Sequence, residues 1–316
     1  VLRDIGIEFT SGDSYDYAWI AQASITNKNV SLQQSVTEGL EFLSNIDGDY
    51  MLLDGQDSTS LIGTYEVIRD LNAVLLLKNS LLKDRSLYKQ GWKMGRYYWG
   101  VGDYALPDFD NHSERIVLSG TNWLSTHHAG VNMQWYDINK PRHYDVSAMF
   151  QYPSVKVNTE YNKETSCFYD RFRSPLIQSI EGLDCNIAKL ENGVRVSQQE
   201  YYNRMFNSKI ILAPYGYGEM APRDLEAAMF GCILIKPDMS YIDTKPDIFE
   251  DGVTYIACKH DFSDLQEKVY DVLENYQKYH YIIENMRQRI NKKMSDHSLA
   301  LNLHSVMSNL KNVTSC

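Results

Sequence analysis

The stretch Ile211–Asp238, ILAPYGYGEMAPRDLEAAMFGCILIKPD, decides how the rest of the chain is read. An apolar run breaks into a glycine loop, the loop opens a helical pattern, and a second apolar run follows. Residues 209–213 and 232–236 read as strands and 222–230 as the helix between them. Pro222 suits a first helical turn and Gly231 the position past a last one. A strand, helix and strand in this order make a βαβ unit with a right-handed crossover. Ligands of such sheets bind beyond the carboxyl ends of the strands, where YGYGEM falls. Gly216 and Gly218 let the backbone turn and approach a ligand, and the helix N-terminus offers N–H groups and positive potential to a phosphate.

On that helix, Leu225, Ala228 and Met229 share one side and face the sheet, while Arg223 and Glu226 share the other. Arg223 is placed to neutralise a phosphate, and Glu226 to accept two hydrogen bonds from a ribose diol. The plainer alternative is a solvated i,i+3 ion pair. Gly216-x-Gly218-x-x-Ala221 also matches the dinucleotide fingerprint, with Asp238 where a ribose-binding acid belongs, so an NAD(P)-dependent oxidoreductase is a second reading. Against it, the unit lies two-thirds of the way along the chain, and Lys236-Pro237 interrupts the strand end.

Outward from this unit the pattern continues. VSAMFQY, IILAP, CILIKP and EDGVTYIAC read as strands; YDRFRSPLIQSIEGL, VRVSQQEYYNRMFNSK, FSDLQEKVYDVLENYQKY and the run from Tyr281 as helices. In the first half, Asp4–Thr10, DYMLLDG, NAVLLLK and ERIVLSG read as strands, and SLQQSVTEGLEFLSNI has helical spacing through Leu32, Val36, Leu40 and Leu43. Alternating strands and helices predict an α/β fold of two Rossmann-like lobes facing across a cleft. The expected division lies close to Pro141, with 1–141 as the first lobe and 142–316 as the second.

The chain has 316 residues, 43% of them hydrophobic, and a net charge of -10. That charge argues against a nucleic-acid partner, and no apolar run approaches the roughly 20 residues of a membrane span. Five cysteines without metal-binding spacing suggest reduced thiols in a cytoplasmic setting. The first residue is Val1, and no signal-peptide pattern follows, so the expectation is a piece of a longer chain fused to further domains.

From about Ser208 to Leu265 the chain resembles the nucleotide-sugar lobe of GT-B glycosyltransferases. NSKIILAPYGYGEMAPRDLEAAMFGCILIKPD looks like that superfamily's phosphate loop and R-x-x-E-A-x-x-x-G-C segment, closest to exostosin-like and related bacterial or viral enzymes. FEDGVTYIACKHDFSDLQEKVYDVL is similar to the strand, loop and helix that follow there. The resemblance implies a glycosyltransferase moving a sugar from a UDP- or GDP-type donor to a hydroxyl of a glycan acceptor. It implies no cofactor and no metal, since a helix dipole and arginine stabilise the leaving diphosphate. It places Gly218, Glu219 and Arg223 around the donor's diphosphate, Glu226 on its ribose, and Tyr217 among the nucleotide-sugar-binding residues. Glu219 stands seven before Glu226, as a second glutamate does in retaining members, whereas the APR insert looks more like inverting sequences. A non-catalytic nucleotide-sugar-binding domain is the third reading.

Upstream, Arg171 and Arg173 in FYDRFRSPL are further phosphate candidates, because a guanidinium contacts phosphate in a bidentate way; solvated surface charge is their alternative. An inverting transfer needs a base for the acceptor hydroxyl. Asp54, ending a strand beside Gly55, is the first candidate, with Asp57 nearby; Asp13, with Asp16 nearby, is the second. Any one of these also fits a turn former. His127-His128 are adjacent and diverge, which does not make a metal site.

Overall fold

The computed structural model describes residues 18–21, 30, 32–46, 49–54, 58–61, 63–71, 73–90, 105–118, 135–150, 173–190, 194, 196–216, 218–245, 247–295 and 304–305. The strand expected at Asp4–Thr10 lies outside them. Two parallel sheets carry the fold, as the alternating pattern predicts. The first runs β1 (Ala18–Ala21), β2 (Tyr50–Asp54), β3 (Ala73–Lys78), β5 (Ile116–Leu118), in that spatial order. Helices α1 (Leu32–Ser44), α2 (Tyr65–Asp70) and α3 (Leu87–Gln90) belong to this lobe. YMLL and AVLLL are continuously apolar because parallel strands are covered on both faces; every residue of β2 but Leu53 is buried.

The second sheet is ordered β11 (Ile256–Cys258), β9 (Ile233–Pro237), β8 (Ser208–Leu212), β6 (Tyr144–Ala148), β7 (Ile187–Lys189), all parallel. Counted within the lobe, this is the doubly wound order 2-1-3-4-5, whose switch point lies between β6 and β8. Side chains alternate between its faces. Ile210, Leu212, Ile233 and Ile235 pack with Leu176 and Ile180 of α4 (173–181) and Val269 of α7 (Leu265–Glu274). Ile211 and Leu234 pack on the opposite face with Met205 of α5 (Gln198–Phe206), Leu225 and Ala228 of α6 (Pro222–Phe230), and Met286 of α8 (His280–Ser295).

The ends of α6 are marked as the sequence predicts. Pro222 occupies its first turn, and Gly231 ends it at φ 70°, ψ 43°, the left-handed conformation that glycine adopts without strain. Two short strands unseen in the sequence join the lobes. β4 (Ser80–Leu82), one residue past β3, pairs antiparallel with β10 (Ile242–Thr244), which follows β9; Ile242 faces Leu82 and Thr244 faces Ser80. No helix among the described residues is long and apolar enough to cross a membrane.

Candidate functional site

The switch point sets the crevice. β6 ends there at Ala148 and is followed by Phe150; β8 ends at Leu212 and is followed by the glycine loop. Gly216 does not adopt a left-handed φ, and a Cβ built on it would meet no described atom within 4 Å. Glycine there serves neither the turn nor packing among the described residues, and it leaves the backbone bare for a close approach. Gly218 is buried, its carbonyl accepting from the Gly216 N–H at 2.9 Å.

Glu226 is 5% exposed, so the solvated ion pair weighed from the sequence is not what forms. The Tyr201 hydroxyl donates to Glu226 Oε2 at 3.0 Å, and the Arg223 guanidinium lies against the same hydroxyl. Burial pushes the Tyr201 phenol up, so it stays protonated and a donor. Arg223 Nε is buried with no hydrogen-bond partner among the described residues, one residue into α6. Arg173, the first residue of α4, is also buried, its guanidinium 5.9 Å above the Phe150 ring at the end of β6. Arg223 and Glu226 thus meet at Tyr201 on the helix that follows β8, while Arg173 lies over Phe150 just past β6.

Behind them, the loop is pinned from inside the lobe. Lys236 Nζ donates to the Glu219 carbonyl at 2.9 Å and to Asp224 Oδ2 at 2.7 Å. The same carboxylate accepts from the Ala221 N–H at 2.9 Å, capping α6. Burial pushes the Asp224 carboxyl up and the Lys236 amine down; their mutual attraction opposes both shifts.

Glu219 faces the other lobe. Its Oε2 accepts from the Thr59 N–H at 2.9 Å and its Oε1 from the Thr59 hydroxyl at 2.8 Å. Burial pushes its carboxyl up to about 7, against the Thr59 hydrogen bonds and the nearby Lys78 charge, which lower it.

Asp54 calls for a correction. It was expected to face a cleft as the base, yet it is paired with Lys78 at 2.7 Å, and neither side chain has any exposure. Thr64 Oγ1 also donates to it at 3.0 Å. Asp54 and Lys78 are register partners on β2 and β3, so the pair forms as the strands align. Asp13, Asp16, Asp57, Arg171, Tyr217 and His127-His128 lie outside the described residues. Asp238, the acid of the dinucleotide reading, closes a local turn: Oδ1 accepts from the Ser240 N–H at 2.8 Å and Oδ2 from its hydroxyl at 2.7 Å.

Sequence reasoning missed Tyr201, Thr59 and the lysines. Nothing local links Tyr201 or Thr59 to their partners. The lysines did leave a signal, because a charge closing an otherwise apolar strand, as in AVLLLK and ILIKP, must find a buried partner.

No protein-family model matches the chain, and no curated protein matches it in sequence. Among solved structures it is similar to Anabaena HepE in complex with UDP-glucose, at 11% identity over 93% of this chain and 79% of that one, TM-score 0.49. It is similar to TarM at 10% identity, over 86% of this chain and 58% of that one, TM-score 0.44. It is also similar to the UDP-GlcNAc 2-epimerase from Neisseria meningitidis bound to UDP-GlcNAc, at 13% identity over 90% and 84%, TM-score 0.43. Likenesses of 0.43 to 0.49 are too low to give any residue a role.

Proposed function

We propose that the chain is a GT-B-type glycosyltransferase that moves a sugar from a UDP- or GDP-linked donor to a glycan hydroxyl, in the cytoplasm and without a metal. The observation that carries this reading is the Tyr201–Glu226–Arg223 group at the α6 N-terminus, beside the switch point. A carboxylate oriented by a tyrosine accepts hydrogen bonds from a ribose diol. Arg223, with its unpartnered Nε, and the buried Arg173 supply the positive charge that a leaving diphosphate needs. Gly216, with no side chain, leaves room for phosphate oxygens beside Arg223. With Asp54 committed to Lys78, Asp13 is the proposed base. The proposed lobe division stays near Pro141, and inversion is the proposed stereochemical course.

The test is calorimetric titration with UDP, GDP and NADH in the presence of EDTA. One nucleoside diphosphate should bind, with Arg223→Ala and Glu226→Ala each weakening it at least about tenfold, near 1.4 kcal/mol. Binding of NADH alone, or wild-type affinity in both variants, overturns the assignment. A nucleotide bound without transfer from its sugar conjugate to any glycan would leave a binding domain.

A further inference from the structure

The glycine loop is not positioned by its own lobe alone. Thr59 belongs to the first lobe, between β2 and α2, and gives both its N–H and its hydroxyl to the two oxygens of Glu219. Its side chain is buried, and Glu219 is 3% exposed. Both sides of this contact are fixed from behind. Lys78 Nζ, paired with Asp54, donates to the Ser60 carbonyl at 2.7 Å, next to Thr59. Lys236 Nζ, paired with Asp224, donates to the Glu219 carbonyl itself. The Thr59 carbonyl accepts from Tyr88 Oη at 2.7 Å, and that oxygen accepts from the Leu82 N–H at 3.1 Å. Leu82 is the β4 residue facing Ile242, so a continuous hydrogen-bonded path runs from the interlobe ladder to the loop.

We propose that Thr59 is a positioning residue, holding the Glu219 carboxylate and through it the 213–221 loop from the opposite lobe. Two hydrogen bonds to the two oxygens of one carboxyl group fix both its place and its plane. A loop held this way takes its ligand-ready shape only while the lobes are together. That its ligand is a nucleoside diphosphate rests on the function proposed above; the ordering of the loop does not. Lys78, Lys236 and the Tyr215 hydroxyl are the titratable groups facing Glu219 among the described residues.

Two variants isolate the hydroxyl: Thr59→Val removes it while keeping the shape and the N–H, and Thr59→Ser keeps it. Amide exchange of the ligand-free proteins, followed by mass spectrometry, should show peptides over 213–221 exchanging about tenfold faster in Thr59→Val, with β8 and β9 unchanged and Thr59→Ser like wild type. Equal loop exchange in Thr59→Val and wild type overturns the proposal. So does equally fast exchange in Thr59→Val and Thr59→Ser, or a uniform rise throughout the lobe. Glu219→Gln, whose amide still spans Thr59, should keep the loop protected and guards against a misfolded valine variant; fast exchange in it would also overturn the proposal.

The nucleotide arm is separate. The dissociation constant for UDP or GDP should rise about tenfold in Thr59→Val and recover in Thr59→Ser, following the loop. If wild type binds neither nucleotide while the exchange pattern holds, the assigned function fails and the positioning role stands. If wild type binds and Thr59→Val binds equally well, the positioning role fails and the assigned function stands.

Discussion

Lys236 and Asp224 form an ion pair with no exposure on either side chain, and the same ammonium group donates to the Glu219 carbonyl. Lys78, Asp54 and the Ser60 carbonyl repeat this arrangement in the first lobe. One inner strand of each sheet thus carries, near its carboxyl end, a buried lysine that neutralises an aspartate and fixes a loop carbonyl. Removing one partner leaves the other charge buried and uncompensated. Lys236→Met should therefore destabilise the fold by about 3–5 kcal/mol in urea unfolding, and adding Asp224→Asn should recover a large part of it. A single variant within about 0.5 kcal/mol of wild type would show that the pair does not form.

Glu219 gives stability a pH dependence of definite sign. Its carboxyl lies at about 7 in the folded chain against an ordinary 4.5. The folded state therefore binds this proton more readily than the unfolded chain. The contribution is complete below pH 4.5 and is lost as pH rises to about 7. Relative to Glu219→Gln, wild type should lose on the order of 3 kcal/mol across that window. Paired urea melts from pH 4.5 to 8 check this, and a difference that does not vary with pH would rule it out.

The Tyr201 hydroxyl should matter through Glu226. Tyr201→Phe removes the donor to Oε2 while keeping the ring, and should weaken the bound nucleoside diphosphate by about 1 kcal/mol, roughly fivefold. Because a diol is the proposed ligand of Glu226, wild type should prefer UDP or GDP over the 2′-deoxy form. Glu226→Ala should abolish that preference, as competitive calorimetry can test.

Gly231 ends α6 with φ 70°, and its Cβ would fall 3.1 Å from Ile138 Cγ2 and 2.9 Å from Arg287 Nη2. That Nη2 is held by the Tyr136 and Met229 carbonyls at 2.7 and 3.2 Å, so moving it strains those bonds, and the backbone strain adds to the cost. Gly231→Ala should destabilise by about 1–2 kcal/mol, read as a lowered Tm without change in nucleotide binding.

The βαβ unit around α6 was legible because its signals are local: proline at one end, glycine at the other, and a switch of period between. The same holds for α1 and for the apolar strands β2, β3 and β9. β4 and β10 are three residues each and carry no period to read, so the pairing of the lobes stayed hidden. Asp54 beside Gly55 reads locally as a turn or a cleft acid, whereas its partner Lys78 is visible only once β2 and β3 are aligned. Thr59 and Glu219 stand 160 residues apart, and only tertiary packing brings them together. Arg223 and Glu226 were rightly placed on one side of their helix; that Tyr201 of α5 covers that side was beyond the reach of spacing.

The short β4–β10 ladder has a mechanical meaning. Six paired backbone positions resist sliding and stretching but yield easily to twisting, as two-stranded ribbons do. Beside it the Lys83 N–H donates to the Tyr241 carbonyl at 2.9 Å, the Lys245 N–H to the Asn79 carbonyl at 3.3 Å, and Arg85 pairs with Asp243 at 3.1 Å, so the joint is broader than the ribbon itself. The Thr59–Glu219 contact is a further joint between the two halves, on other elements than the ribbon, and two separate joints resist rotation where one alone would act as a hinge.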